Sequence, residues 1–182
     1  MPESPLDSVL DSAAAGEPWA LRRLYDELAP AVFGYLRARG AQEPEDLTSE
    51  VFLAVFTRLE TVSGGAAGLR TLLFSVAHAR LVDDLRRRAR REEPVAFDAQ
   101  ADRRTTASAE DEALRAQSLE AVREVIGQLP DDQRDVLLMR LVADLTVDQV
   151  AEVMGRTSGA VKQLQRRGLV TLKARLSSGV PL

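Results

Sequence analysis

The spacing of apolar residues constrains this chain more than any other feature. Between residues 6 and 90 they recur at helical intervals, and no stretch sustains the alternation of a half-buried strand. In a first unit over 5–38, Leu21, Leu24, Tyr25, Leu28, Val32, Phe33 and Leu36 form an i, i+3, i+4 stripe that must be buried against other helices. Gly16 and Pro18 break this unit early, Pro30 is expected to kink or interrupt it, and Gly40 ends it. Pro44, followed by Glu45 and Asp46, opens a second helix, because proline fits the first turn and acids suit the positive end of the helix dipole. Leu47, Val51, Val55 and Leu59 make its stripe, which Phe52 and Phe56 widen. VSGGAAG at 62–68 predicts a flexible loop, since paired glycines weaken a helix interior. A third helix follows through LRTLLFSVAHARLVDDLRRRARR, with Leu69, Leu72, Leu73, Val76, Leu81 and Leu85 inward.

Residues 92–112, EEPVAFDAQADRRTTASAEDE, are acidic, contain proline and small polar residues, and carry few large apolar groups, the composition of a flexible linker. Beyond it a helix is expected at 113–127, closed by Gly127 and Pro130; Pro130, Asp131 and Asp132 then open another carrying Val136, Leu137, Leu138 and Leu141. The fold class that follows is all-α: two small helical domains, 1–91 and 113–182, joined by the flexible acidic linker 92–112. Aromatic residues make up only 4% of the chain, so Leu, Val and Ala must fill the cores, which suits helix-on-helix packing.

The C-terminal domain contains a helix-turn-helix pattern. Thr146 and Gln149 form a T-x-x-Q capping box at the start of TVDQVAEVM, Gly155 stops that helix, and Thr157 or Ser158 caps the next. Ala151 is small where the second helix crosses, Gly155 permits the positive φ of the turn, and Val150, Val161 and Leu164 fill the shared core, with Leu169 and Leu172 on the same apolar face. Ser158, Lys162 and Arg166 stand one turn apart on the opposite face, flanked by Gln163, Gln165 and Arg167. Such a helix suits the major groove, where Arg or Lys reads guanine and Gln reads adenine.

Net charge conceals this. The chain carries −4, yet residues 70–91 hold seven Arg against Asp83 and Asp84, and residues 156–175 hold four Arg and two Lys with no acid, leaving −15 for the rest. Two basic patches on an acidic body suggest one polyanion gripped in two places. Enzymatic chemistry has no support. The chain has no cysteine and one histidine, so thiolate and His-rich metal sites are excluded and no cofactor is expected. His78 is a packed helix residue rather than a catalyst, and Asp46 with Glu50 lacks a second ligand cluster. MPESPLDSVLDSAAAGEP has no signal-peptide pattern and no window has the ~18 apolar residues of a membrane span, so a cytoplasmic location without membrane insertion is expected. With only SSGVPL after Leu176, no C-terminal sensory domain is expected.

Together these motifs resemble the extracytoplasmic-function sigma factors, the smallest members of the sigma-70 family of bacterial RNA polymerase subunits. EPEDLTSEVFLAVF (43–56) resembles the family's second conserved region, residues 69–91 its promoter-melting, −10-reading helix, and LPDDQRDVLLMRLVADLTVDQVAEVMGRTSGAVKQLQRRGL (129–169) its −35-reading domain. The resemblance implies an adaptor without enzymatic activity that brings core RNA polymerase to promoter DNA, aids melting, and is held inactive by an anti-sigma factor. It further implies that Asp46, Ser49, Glu50 and Phe52 dock on the polymerase clamp. Ser63, Gly64, Gly65 and Ala66 would capture a flipped base of the −10 element, with Arg70, Arg80, Arg86 and Arg87 gripping the surrounding strand. Ser158, Lys162, Gln163, Arg166 and Arg167 would read the −35 element, and the acidic linker would run toward the RNA channel. Leu72 stands where members commonly carry tryptophan, and Ala79 where many carry asparagine. Two rivals remain at this point: a stand-alone helix-turn-helix regulator binding operator DNA as a dimer, which would bind duplex DNA tightly without polymerase, and a purely structural helical adaptor, indifferent to Lys162→Ala with Arg166→Ala.

Overall fold

The computed structural model describes residues 6–91 and 126–177; the expected linker and most of the expected 113–127 helix lie outside them. All the long elements are helices, in two connected regions. The N-terminal region contains α1 (Asp7–Ala14), α2 (Pro18–Ala38), α3 (Pro44–Phe56), a 3-10 turn at Leu59–Thr61 and α4 (Gly65–Arg91). The C-terminal region contains α5 (Asp131–Leu141), α6 (Val147–Met154) and α7 (Ser158–Ser177).

Helix α2 is continuous through Pro30, so the proline does not interrupt it. Leu24, Leu28, Val32, Tyr35 and Leu36 are all buried along it, and burial of a large apolar side chain, at ~1.5–3 kcal/mol each, outweighs one missing backbone hydrogen bond. Helix α4 begins at Gly65, four residues before the expected start at Leu69. The reason is non-local: Asp7 Oδ1 in α1 accepts from the Ala66 amide at 2.7 Å and so caps α4 from a distant part of the chain. Gly64 and Gly65 adopt φ of +80° and +59°, and a β-carbon on Gly68 would stand 1.8 Å from the Ser63 carbonyl oxygen. The glycines thus shape a tight helix start rather than a slack loop.

Helix α5 is buried on nearly every side: Asp135, Val136, Leu137, Leu138 and Met139 are all inaccessible. Leu141, the last of the apolar residues that this helix carries, is 68% exposed at its end. The capping box of α6 forms as the sequence predicts, with Gln149 N donating to Thr146 Oγ1 at 3.2 Å and Thr146 N to Gln149 Oε1 at 2.8 Å. Gly155 follows at φ +61°, in the left-handed region. On α7, Val161 is fully buried and Leu164 packs against the core, but Leu169, expected beside them, is 47% exposed. Gly168 takes the inward position, where a β-carbon would come within 2.8 Å of Leu137 Cδ1. The absent side chain lets α7 lie close on α5 and rotates Leu169 out.

One apolar cluster is continuous across both regions, from Leu24, Val51 and Leu73 to Met139, Leu145 and Val161. Among the described residues, no helix is long and apolar enough to cross a membrane.

Candidate functional site

Two surfaces carry the charged residues singled out by sequence. On α7, Lys162, Gln163, Arg166 and Arg167 are exposed and line one shallow groove with Gly159, Gln133 of α5 and Thr171. They face outward because Val161, Leu164 and Gly168 anchor the opposite side. Ser158 is placed differently. Its hydroxyl donates to Asp148 Oδ1 at 2.5 Å, while Thr157 Oγ1 accepts from the Ala160 amide at 3.2 Å, so Thr157 is the cap and Ser158 is committed to the turn. The Arg156–Asp132 ion pair ties that turn to α5. A row of exposed cations and amides on a rigid helix can meet phosphates and base edges together.

The second surface joins α3 and α4. Leu47, Glu50, Arg80, Asp83, Arg87 and Arg90 line a groove between them, and Arg80 pairs with Glu50 across it. Arg86 and Arg87 are exposed, whereas Arg88 Nη2 donates to the Gly40 carbonyl at 2.5 Å and closes the end of α2. Ser63 and Gly64 are exposed ahead of α4, but Ala66 is buried and Gly65 is already helical. Ala66 is therefore not displayed as part of a base-capturing loop. Phe52 is not displayed either: it is 2% exposed, with its ring packed edge-on against Tyr25 at 4.8 Å and Phe56 at 5.5 Å. Asp46, Ser49 and Glu50 do face solvent, and the residue that continues their row is Leu53, 68% exposed. Sequence reasoning passed over Leu53, although 46, 49, 50 and 53 share helical spacing.

Sequence reasoning also missed a buried polar cluster where the two regions meet. Arg39 of α2 donates from Nε to Asp135 Oδ1 of α5 at 2.6 Å, from Nη2 to Asp135 Oδ2 at 3.3 Å, and from Nη1 to Asp131 Oδ1 at 2.9 Å. Tyr35 donates its hydroxyl to Asp135 Oδ1 at 2.9 Å and lies 2.8 Å from His78 Nδ1 of α4. Because that hydroxyl proton is directed at the carboxylate, Nδ1 of His78 carries the proton and donates to the Tyr35 oxygen. Burial, and then the charge and hydrogen bond of Asp135, push the Tyr35 phenol well above its ordinary value, so it remains a donor. Burial likewise holds the His78 imidazole below its ordinary value; Asp135 and Asp132 oppose the shift, and Arg39 reinforces it.

A pH dependence follows. A depressed imidazole pKa in the folded chain means that unfolding takes up a proton below the ordinary value of about 6.5, so stability present above that pH is lost as pH falls through the folded value. Urea unfolding of wild type and His78→Asn, an amide that places nitrogen near the Nδ1 position, should therefore diverge between pH 7.5 and 5, wild type losing more. Parallel pH profiles would show that His78 does not contribute. Among the described residues no group of three or more His, Cys, Asp or Glu is placed to hold a metal ion.

Two family profiles match the chain: sigma-70 region 2 over residues 24–91, and sigma-70 region 4 over residues 119–172. The ECF RNA polymerase sigma factor SigD of Mycobacterium tuberculosis is 33% identical over 175 residues, which cover 92% of this chain and 82% of SigD. The ECF RNA polymerase sigma factor BldN of Streptomyces coelicolor is 32% identical over 166 residues, covering 90% of this chain and 63% of BldN. Among solved structures, CnrH in complex with the cytosolic domain of CnrY superposes with a TM-score of 0.69 at 20% identity, over 95% of this chain and 98% of that one. The sigma factor RpoE in complex with the anti-sigma factor NepR from Bartonella quintana gives a TM-score of 0.69 at 17% identity, over 86% of this chain and 96% of that one. At those identities the two structures establish a shared fold.

Proposed function

This chain belongs to the sigma-70 family, in its extracytoplasmic-function group, a sigma factor that directs RNA polymerase to promoters in transcription initiation, and we propose how its surfaces divide that task. Residues 1–91 form the domain that binds polymerase and the −10 element, 92–112 the linker, and 113–182 the −35-reading domain. In the last of these, α6 and α7 act as a helix-turn-helix with α7 in the major groove. Lys162, Gln163 and Arg166 read bases there, Arg167 contacts the backbone, and Ser158 holds the turn against Asp148.

On the N-terminal domain, Asp46, Ser49, Glu50 and Leu53 make the polymerase-docking row, with Phe52 supporting it from within. Ser63 and Gly64 hold a flipped base where α4 starts, Gly65 gives that start its turn, and Arg70, Arg80, Arg86 and Arg87 grip the strand around it, since phosphate contacts must offset the few kcal/mol that unstacking costs. The partners are core polymerase, promoter DNA and an anti-sigma factor, and the chain works in the cytoplasm beside the polymerase. The anti-sigma partner is suggested by RpoE, solved bound to the anti-sigma factor NepR. What carries the reading is the match of the two region profiles to residues bearing two separate basic surfaces.

The test is transcription with purified core polymerase on fragmented genomic DNA, followed by 5′-end sequencing. Transcripts should start at a defined distance downstream of a shared pair of elements and vanish when the chain is withheld. Absence of promoter-dependent starts on every template would refute the reading.

A further inference from the structure

We propose that Asp7, in the N-terminal helix α1, is a positioning residue for capture of the −10 base, holding the corner of Ser63 and Gly64 in the one shape that receives it. The proposal rests on the base-capturing reading above and names what fixes that site. Asp7 acts not on DNA but through the backbone where α4 begins. The corner is built from residues that by themselves fix little. Ser63 and Gly64 are exposed, Gly64 and Gly65 both lie in the left-handed region, and glycine loses more conformational freedom on ordering than any other residue. The Ser63 carbonyl lies over Gly68, whose missing side chain makes room for it, and the Gly68 amide donates to the Gly64 carbonyl at 3.1 Å. Both contacts lie within 63–68, so they set the internal shape of the corner. Its placement on the protein falls to Ala66, whose side chain is buried and whose amide donates to Asp7 Oδ1 at 2.7 Å across 59 positions of sequence. The same carboxylate fills the space beside Gly65, where a β-carbon would collide with Oδ1.

Helix α1 is a firm base for that contact. Leu6, Leu10 and Ala13 are buried, and the helix packs against α2, the 3-10 turn and α4 together. A carboxylate on a helix anchored on three sides ties the first turn of α4 to the body of the region. Binding sites work only when held within about 0.5 Å of their productive geometry. Ser63 and Gly64 directly precede the turn that Asp7 caps, so a turn that frays without its cap takes the base-holding residues with it. Arg80, Arg86 and Arg87 lie beyond that turn and keep their places. The loss therefore falls on the base and not on the grip of phosphates.

The test measures holoenzyme binding to single-stranded non-template oligonucleotides of the mapped −10 element, intact or abasic at one position at a time. In wild type, removal of the captured base should weaken binding more than removal of its neighbours. If no position carries such a penalty, base capture itself is refuted. Asp7→Ala should cut that one penalty by about fivefold, the usual size of a lost helix cap, and leave the penalties at other positions unchanged. Gly65→Ala, whose β-carbon collides with the carboxylate, should reproduce the selective loss. Asp7→Asn, which keeps an acceptor oxygen, should return the penalty to within about twofold of wild type, since Asn caps about as well as Asp. A merely structural Asp7 would instead lower the thermal midpoint and weaken every oligonucleotide alike. Uniform weakening, a wild-type penalty in the Asp7→Ala chain, or no recovery in Asp7→Asn would overturn the role of Asp7 while leaving base capture standing.

Discussion

Phe52→Ala is expected to cost this chain about 3–5 kcal/mol of folding stability, whereas Leu53→Ser, one residue along α3, should leave stability within ~0.5 kcal/mol and weaken polymerase binding by roughly tenfold. The two side chains lie 100° apart on one helix and meet different surroundings. Phe52 is 2% exposed and packs edge-to-face with Tyr25 and Phe56 in a chain that has few aromatics to replace them. Truncation would leave a cavity where α2 and α3 meet, and a loss of this size is a large share of the ~5–15 kcal/mol that holds a domain folded. Leu53 makes no comparable contact: 68% of it is exposed, in a row with Asp46, Ser49 and Glu50. Urea titration followed by circular dichroism measures the first effect, and competition for core polymerase against unlabelled wild type measures the second. A Phe52→Ala chain as stable as wild type but defective in binding would return Phe52 to the docking surface.

That contrast marks where the sequence could be read and where it could not. The helices of the N-terminal region follow from local periodicity, and the α6 cap and Gly155 turn follow from residue types with a single local role. The exposed row on α3 is legible as well, because positions 46, 49, 50 and 53 obey the same spacing as the buried stripe; only the prior that leucines point inward hides Leu53. Other features depend on residues far apart in sequence. The early start of α4 requires Asp7, and nothing near Gly65 reveals it. Helix α5 shows no clean stripe because it is packed on several sides at once, which conceals both the outward Leu141 and the inward Asp135. The Arg39–Asp135 pair joins residues 96 positions apart. A single acid among DDQRD gives no sign that it alone is buried and that its neighbours are not. Gly168 is the last case: a glycine inside a helix reads as a weakness until α5 is seen against it.

Lys162→Ala with Arg166→Ala should abolish promoter-specific initiation while leaving the fold intact. Both side chains are exposed on α7, one turn apart, so their removal takes nothing from the core that Val161, Leu164 and Gly168 build. A good bidentate contact to a base is worth about 1–3 kcal/mol, so losing two weakens −35 binding by about 2–6 kcal/mol, roughly 30-fold to 10⁴-fold. The salt dependence separates the two kinds of contact each residue can make. If both bind phosphates only, the slope of log K against log salt should fall by about 1.8 and the loss should be the same for every −35 sequence. If they read bases, the loss should be greatest on the preferred element and small on scrambled DNA, with little change in slope. Holoenzyme binding to a set of −35 variants at several salt concentrations distinguishes the two, and transcription unimpaired by the double substitution would remove α7 from promoter recognition.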